Sequence, residues 1–195
     1  MTSLRSITIS WVLALFFVDG CAANEPARLV ESAETTAEIN EESGNYIIDS
    51  QAGSVAGITL GMTETEIRAA GWPYETRFEN LEGDEYKIYD IRLAGGASLK
   101  LTLDLENTLY RIESSSVEVQ DQFGLSAGSR LSELKRVYPN GKFIKGLAEG
   151  RYANFLTGTH LRFYFDHNDL DESCFDYKTD CTIDENIMAK SIAIG

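Results

Sequence analysis

Between Leu99 and Leu105 the chain alternates, with Leu99, Leu101, Leu103 and Leu105 set against Lys100, Thr102 and Asp104. A period of two belongs to a strand with one buried face and one wet face. The same reading predicts strands over Glu75 to Glu79, Tyr86 to Leu93, Ser98 to Leu105 and Leu109 to Val119, with "AGGA" and "ENT" as hairpin turns. A second series follows at Lys142 to Ile144, Tyr152 to Leu156, Leu161 to Phe165 and Ile187 to Ile194. Within "RFYFD", alternation turns Phe163 and Phe165 to the core and Tyr164 outward.

A short helix precedes each series. Thr63 and Glu66 form a T-x-x-E capping box, and Gly71 with Pro73 closes the segment. In the second, Leu131, Leu134, Val137 and Tyr138 share one helical face, "YPNG" ends it, and Ser129 is the expected N-cap. Laid side by side, "GITLGMTETEIRAAG" from Gly57 and "GLSAGSRLSELKRVY" from Gly124 align Gly61 with Gly128, Glu66 with Glu133 and Ile67 with Leu134. This points to an α+β fold built as a tandem repeat of a short helix packed on an antiparallel β-sheet, with two sheets or two halves of one. The first repeat is expected over 46–122 and the second over 123–195.

The N-terminus has a different grammar. Arg5 precedes the apolar run "ITISWVLALFFV", which ends in "VDGC" at Cys21. About twelve apolar residues fall short of the roughly 20 that a spanning helix needs, so the run reads as a signal peptide over 1–20. The Val18-Asp19-Gly20-Cys21 tail resembles a bacterial lipobox, in which the cysteine carries lipid and becomes the first mature residue; an ordinary secretory signal with a free Cys21 is the alternative. Residues 21–45 are acidic and lack an aromatic, as a solvated tether would be, apart from a thin amphipathic stretch over "ARLVESAETTAEI". If flexible, about 24 such residues reach roughly 25 to 30 Å. Three cysteines in an exported chain leave Cys174 and Cys181 to pair, stapling an acidic insertion at about 166–185.

Composition narrows the partners. Of 195 residues 43% are hydrophobic, enough for a core, and the net charge of −14 excludes a nucleic-acid surface, which needs clustered Lys and Arg. It also disfavours an electrostatic grip on anionic lipid, leaving the N-terminal lipid as the membrane contact.

Candidate chemistry is sparse. Gly124-Leu125-Ser126-Ala127-Gly128 is a literal G-x-S-x-G, which would make Ser126 a hydrolase nucleophile on a tight strand-to-helix turn. Its counterpart in the first copy is Thr59 between the same two glycines, so the frame reads as a structural junction that needs glycine backbone freedom. The insertion offers Asp166, Asn168, Asp169, Asp171 and Glu172 as oxygen ligands for calcium, without helix-loop-helix spacing. Aromatics such as Tyr164 on an exposed sheet face, ringed by carboxylates, fit a protein-binding surface.

The stretch "ITLGMTETEIRAAGWP" resembles the opening motif of the repeat in outer-membrane assembly lipoproteins of the SmpA/OmlA class and in β-lactamase-inhibitor proteins. The lipobox-like tail with the tandem arrangement also resembles sigma-E-regulated envelope lipoproteins of unknown role. The resemblance implies a scaffold that binds without catalytic residues and carries no functional residue over to this chain. The expectation is a non-enzymatic envelope lipoprotein, anchored to the outer membrane and facing the periplasm, that acts as an assembly or stress accessory through an envelope protein partner. The alternatives are a secreted enzyme inhibitor and a small serine hydrolase using Ser126.

Overall fold

The structure is a computed structural model that describes residues 44–81, 83–147, 150–176 and 181–195. The expected signal peptide, Cys21, and the expected tether up to residue 43 with its amphipathic stretch lie outside the described residues.

The first helix, α1 (Glu64–Ala69), starts where the capping box places it: Thr63 N donates to Glu66 Oε2 at 2.8 Å, and Glu66 N donates to Thr63 Oγ1 at 3.4 Å. Six residues are too few for a helix to persist alone, so packing must hold it. Ile67 is buried to 2% exposure, and Glu64 and Arg68 both bond the Tyr89 hydroxyl. The second helix, α2 (Leu131–Val137), buries Leu131 and Leu134 as its stripe predicts. Its N-cap is Arg130, not Ser129: Arg130 N donates to Glu133 Oε2 at 2.8 Å. The Ser129 hydroxyl instead accepts from Ser126 N at 3.0 Å, which turns it back into the preceding loop.

Each helix is followed by four antiparallel strands. After α1 come β4 (Tyr74–Leu81), β5 (Asp84–Arg92), β6 (Ser98–Leu103) and β7 (Leu109–Ser114). After α2 come β9 (Lys142–Leu147), β10 (Arg151–Leu156), β11 (Leu161–Phe165) and β12 (Ala189–Ile194). All eight join one sheet in the order β4-β5-β6-β7-β12-β11-β10-β9. The architecture is therefore a β-rich α+β fold with a continuous antiparallel sheet. Short pairs brace the helix starts: β1 (Tyr46–Ile47) lies parallel to β8 (Val119–Gln120), and β2 (Ser54–Val55) pairs with β3 (Ile58–Thr59).

Two expectations about strand ends fail for one reason, the local turn. Leu105 is 64% exposed, because β6 stops at Leu103 and the Asp104 carboxylate accepts from Glu106 N and Thr108 N. Asn107 turns the corner with φ 62°, a conformation asparagine tolerates. The predicted strand from Leu109 to Val119 breaks after Ser114, whose hydroxyl accepts from Ser116 N, and the remainder leaves the sheet as β8.

Register fixes the two faces. Thr76, Tyr89, Leu101, Ile112, Ile194 and Leu161 are successive cross-strand neighbours on the helix side. All but Thr76 are buried, and the core cluster they belong to also takes in Ile67, Leu131 and Leu134 from the helices.

Candidate functional site

The opposite face carries the polar half of the alternation. Across the whole sheet, one row of neighbours runs Glu75, Asp90, Lys100, Glu113, Ala193, Arg162, Leu156 and Lys142. Nothing among the described helices covers this row, since α1 and α2 pack on the other side.

The first half of the face is an ion-pair lattice. Arg77 reaches Asp90 at 2.7 Å and also Glu79; Lys100 reaches Glu79 at 2.7 Å; Arg92 meets Glu75. Partial burial works against ionisation of Glu79, and Lys100 with Arg77 outweighs it, so its pKa is lowered. Hydrogen bonds to Asp90 and then Glu79 raise the Arg77 pKa. Exposed pairs of this kind contribute about 0 to 1 kcal/mol each, so the lattice matters more for the pattern of charge it displays than for stability. A hollow of about 460 Å³ lies over it, lined by Glu75, Asp90, Arg92, Ser98, Lys100 and Glu113 among others.

Beyond Glu113 the character changes. Ser191 and Ala193 of β12 are the outward residues there, and their short side chains leave a trough between β7 and β11. Arg111 leans across it until its Cζ is 4.7 Å from the Tyr164 ring centroid, while Arg162 Nη1 donates to the Tyr164 hydroxyl at 3.5 Å. Tyr110 and Tyr86 stand beside it with ring centroids 5.8 Å apart. The resulting hollow of about 240 Å³ is lined by Tyr110, Arg111, Arg162, Tyr164, Ala193, Ile194 and Gly195. Tyr164 thus faces outward, with Phe163 and Phe165 buried behind it. The two arginines were not among the residues the sequence singled out. Arg162 was legible as the outward residue one alternation before Tyr164, but nothing in the sequence said that Arg111 would meet them.

A third hollow, of about 710 Å³, opens at the exit of α1 between Trp72, Pro73, Leu93 and Ala94. The Trp72 indole N–H donates to Ala56 O at 2.9 Å, and Tyr46 packs edge-on against the ring.

The other sequence candidates are placed as follows. Ser126 is 7% exposed; its hydroxyl donates to Ala127 O at 2.9 Å, and no histidine is among its hydrogen-bond partners within the described residues. The glycines flanking it have φ 79° at Gly124 and 88° at Gly128, against 76° at Gly57 and 86° at Gly61. Gly128 N donates to Ala189 O and Gly61 N to Leu109 O, in each case tying the loop to the first residue of the fourth strand. The Cys174–Cys181 disulfide is present, with Cα atoms 4.8 Å apart.

Of the candidate calcium ligands Asp166 and Asn168 are in contact, and Asp169, Asp171 and Glu172 have partners outside the set. Asp166 Oδ1 accepts from the Asn168 backbone and side chain, and Asp171 Oδ1 accepts from Ser173 N, so each caps a short 3₁₀ turn. Glu172 pairs with Arg151 at 2.6 Å, and Asp169 lies 3.9 Å from Lys190. Among the described residues no group of three or more His, Cys, Asp or Glu side chains is arranged to hold a metal ion. The carboxylates are taken by backbone N–H groups and cations, which share the ligand geometry out along the loop.

Among solved structures, the chain is similar to the crystal structure of the uncharacterised protein YfeY from Escherichia coli, with a TM-score of 0.50, 14% identity, and coverage of 76% of this chain and 97% of that one. At that identity the likeness concerns the fold alone. No protein-family model matches the chain, and no curated protein matches it.

Proposed function

We propose that this chain is an exported, lipid-anchored protein of the bacterial envelope that binds a protein partner through the open face of its sheet, without catalysis. The observation that carries this reading is the Tyr110, Arg111, Arg162 and Tyr164 cluster on that face. Tyr and Arg, with Trp, are enriched at binding hot spots: Tyr presents a large amphipathic surface with few torsions, and Arg presents a planar fork of donors. Here they stand on paired strands, so little conformational freedom remains to be lost when a partner arrives.

Two further features support it. The lipobox-like Cys21 accounts for the one cysteine outside the disulfide. The order of a helix and four strands occurs twice, and the glycines at 57 and 61 share their conformations with those at 124 and 128. We read this as a duplicated unit like that of the SmpA/OmlA-class lipoproteins and β-lactamase-inhibitor proteins, whose opening motif the stretch from Ile58 to Pro73 resembles, and take the envelope assembly or stress role from the resemblance to the lipoproteins.

A photo-cross-linking amino acid placed at Tyr164 in cells expressing the full chain should give a discrete adduct, and the same group at Arg136 on exposed α2 should give none. Equal capture at both sites, or none at Tyr164, refutes the sheet-face reading. In the same cells Cys21→Ala should move the chain out of the membrane fraction; unchanged fractionation removes the anchor.

A further inference from the structure

The trough beside Tyr164 has two guanidinium groups with donor capacity to spare. Arg111 Nη2 lies 3.4 Å from Glu113, yet its Nε is buried without a hydrogen-bond partner. A buried N–H left unmatched is destabilising, so such an atom calls for an explanation. Arg162 has only the long bond to Tyr164 and no carboxylate partner among the described residues. This is notable in a chain with 31 Asp and Glu against 17 Lys and Arg, where a carboxylate is usually at hand. Glu113 is already engaged, since it accepts from the Ser191 hydroxyl as well as facing Arg111. Gly195 lines the hollow and forms no ion pair with either arginine among the described residues.

The donor geometry selects the ligand. A guanidinium matches a carboxylate with two parallel N–H···O bonds, and the Tyr164 ring supplies an apolar wall for the methylenes behind it. We propose that this hollow recognises one carboxylate, presented by an acidic side chain of the protein partner and gripped by Arg162 with Arg111 beside it. The proposal rests on the sheet-face reading above and names its anchor.

The test observes the arginine Nε–H resonances of the isotopically labelled full chain in detergent micelles. The probes are N-acetyl-glutamate N-methylamide, inorganic phosphate, and sodium chloride at matched ionic strength. The carboxylate probe should shift the Arg162 and Arg111 signals saturably in the millimolar range, with Arg162→Gln weakening it about tenfold or more and Arg162→Lys, which keeps charge but loses the fork, falling between. Arg92→Gln, on the same face but paired with Glu75, should leave the titration unchanged. Backbone resonances of each variant establish that it is folded. No saturable shift, or a shift that chloride reproduces, overturns the proposal; tighter binding of phosphate than of the carboxylate overturns it in favour of a phosphoryl ligand. If the carboxylate fails to bind while the Tyr164 cross-link persists in both wild type and Arg162→Gln, the pocket falls and the sheet-face reading stands. Loss of the cross-link with intact carboxylate binding has the opposite meaning.

Discussion

Asp121 is the most deeply buried carboxylate among the described residues, 1% exposed and bonded through both oxygens. Oδ1 accepts from Phe123 N and Leu125 N, each at 2.8 Å, and Oδ2 accepts from the Tyr138 hydroxyl at 2.5 Å. Burial first, and the Asp121 carboxylate second, push the Tyr138 pKa up, so the phenol stays protonated and keeps donating. Asp121→Ala would strand two backbone N–H groups and a partly buried hydroxyl, and it should lower the unfolding free energy by about 3 kcal/mol. Tyr138→Phe removes one bond and should cost about 1 to 2 kcal/mol. Urea denaturation measures both, and a loss below about 0.5 kcal/mol for Asp121→Ala, the range of an ordinary surface change, would contradict this account. In the sequence Asp121 is one acid among many; its role exists only because the loop before α2 folds its own N–H groups over it.

At the scale of an element, α1 shows how six residues are held in place. Glu64 accepts from Lys87 Nζ at 2.8 and 2.9 Å and from the Tyr89 hydroxyl at 2.6 Å, so the first turn of the helix is clamped to β5. Those bonds, Lys87 first and Tyr89 next, lower the Glu64 pKa from its ordinary 4.5 to about 2. The sign follows from where the proton binds more readily. An unfolded chain protonates this carboxyl first, so the contribution is complete above pH 4.5 and is lost as the pH falls towards about 2. Glu64→Gln should therefore flatten the acid limb of stability between those values; urea midpoints across that window that fall as steeply as in wild type would refute the assignment. The capping box of α1 was legible because it is written in four adjacent residues. The clamp was not, because Lys87 and Tyr89 lie on another strand and their meeting with Glu64 depends on the helix crossing the sheet there.

For the molecule as a whole, the seam between β7 and β12 decides whether there are one or two folding units. Ile192 pairs with Ser114 and Ile194 with Ile112, and the three isoleucines are at most 2% exposed. Core residues from both helix-and-strand units belong to one cluster, so neither unit is predicted to melt alone. Trp72 lies in the first unit and reports on it by fluorescence, while far-ultraviolet dichroism reports on both. The two signals should give a single coincident transition, and Ile192→Ala should shift both together by about 3 to 4 kcal/mol. Separate midpoints would show that the seam does not couple the units.

What the sequence determined by itself is whatever is coded within a few residues: period-two alternation for the strands, the capping box of α1, the outward turn of Tyr164, the closeness of Cys174 and Cys181, and the need for glycine around Ser126. Each of these depends on neighbours no more than a helical turn or a hairpin away. What only the tertiary structure decided is which strands lie side by side. That β12 returns between β7 and β11, rather than closing a second sheet, brings Arg111 across the short side chains of Ser191 and Ala193 to Tyr164 and Arg162. Strand order over such separations is settled by burial of both helices against one sheet, a global free energy that no local pattern of residues encodes.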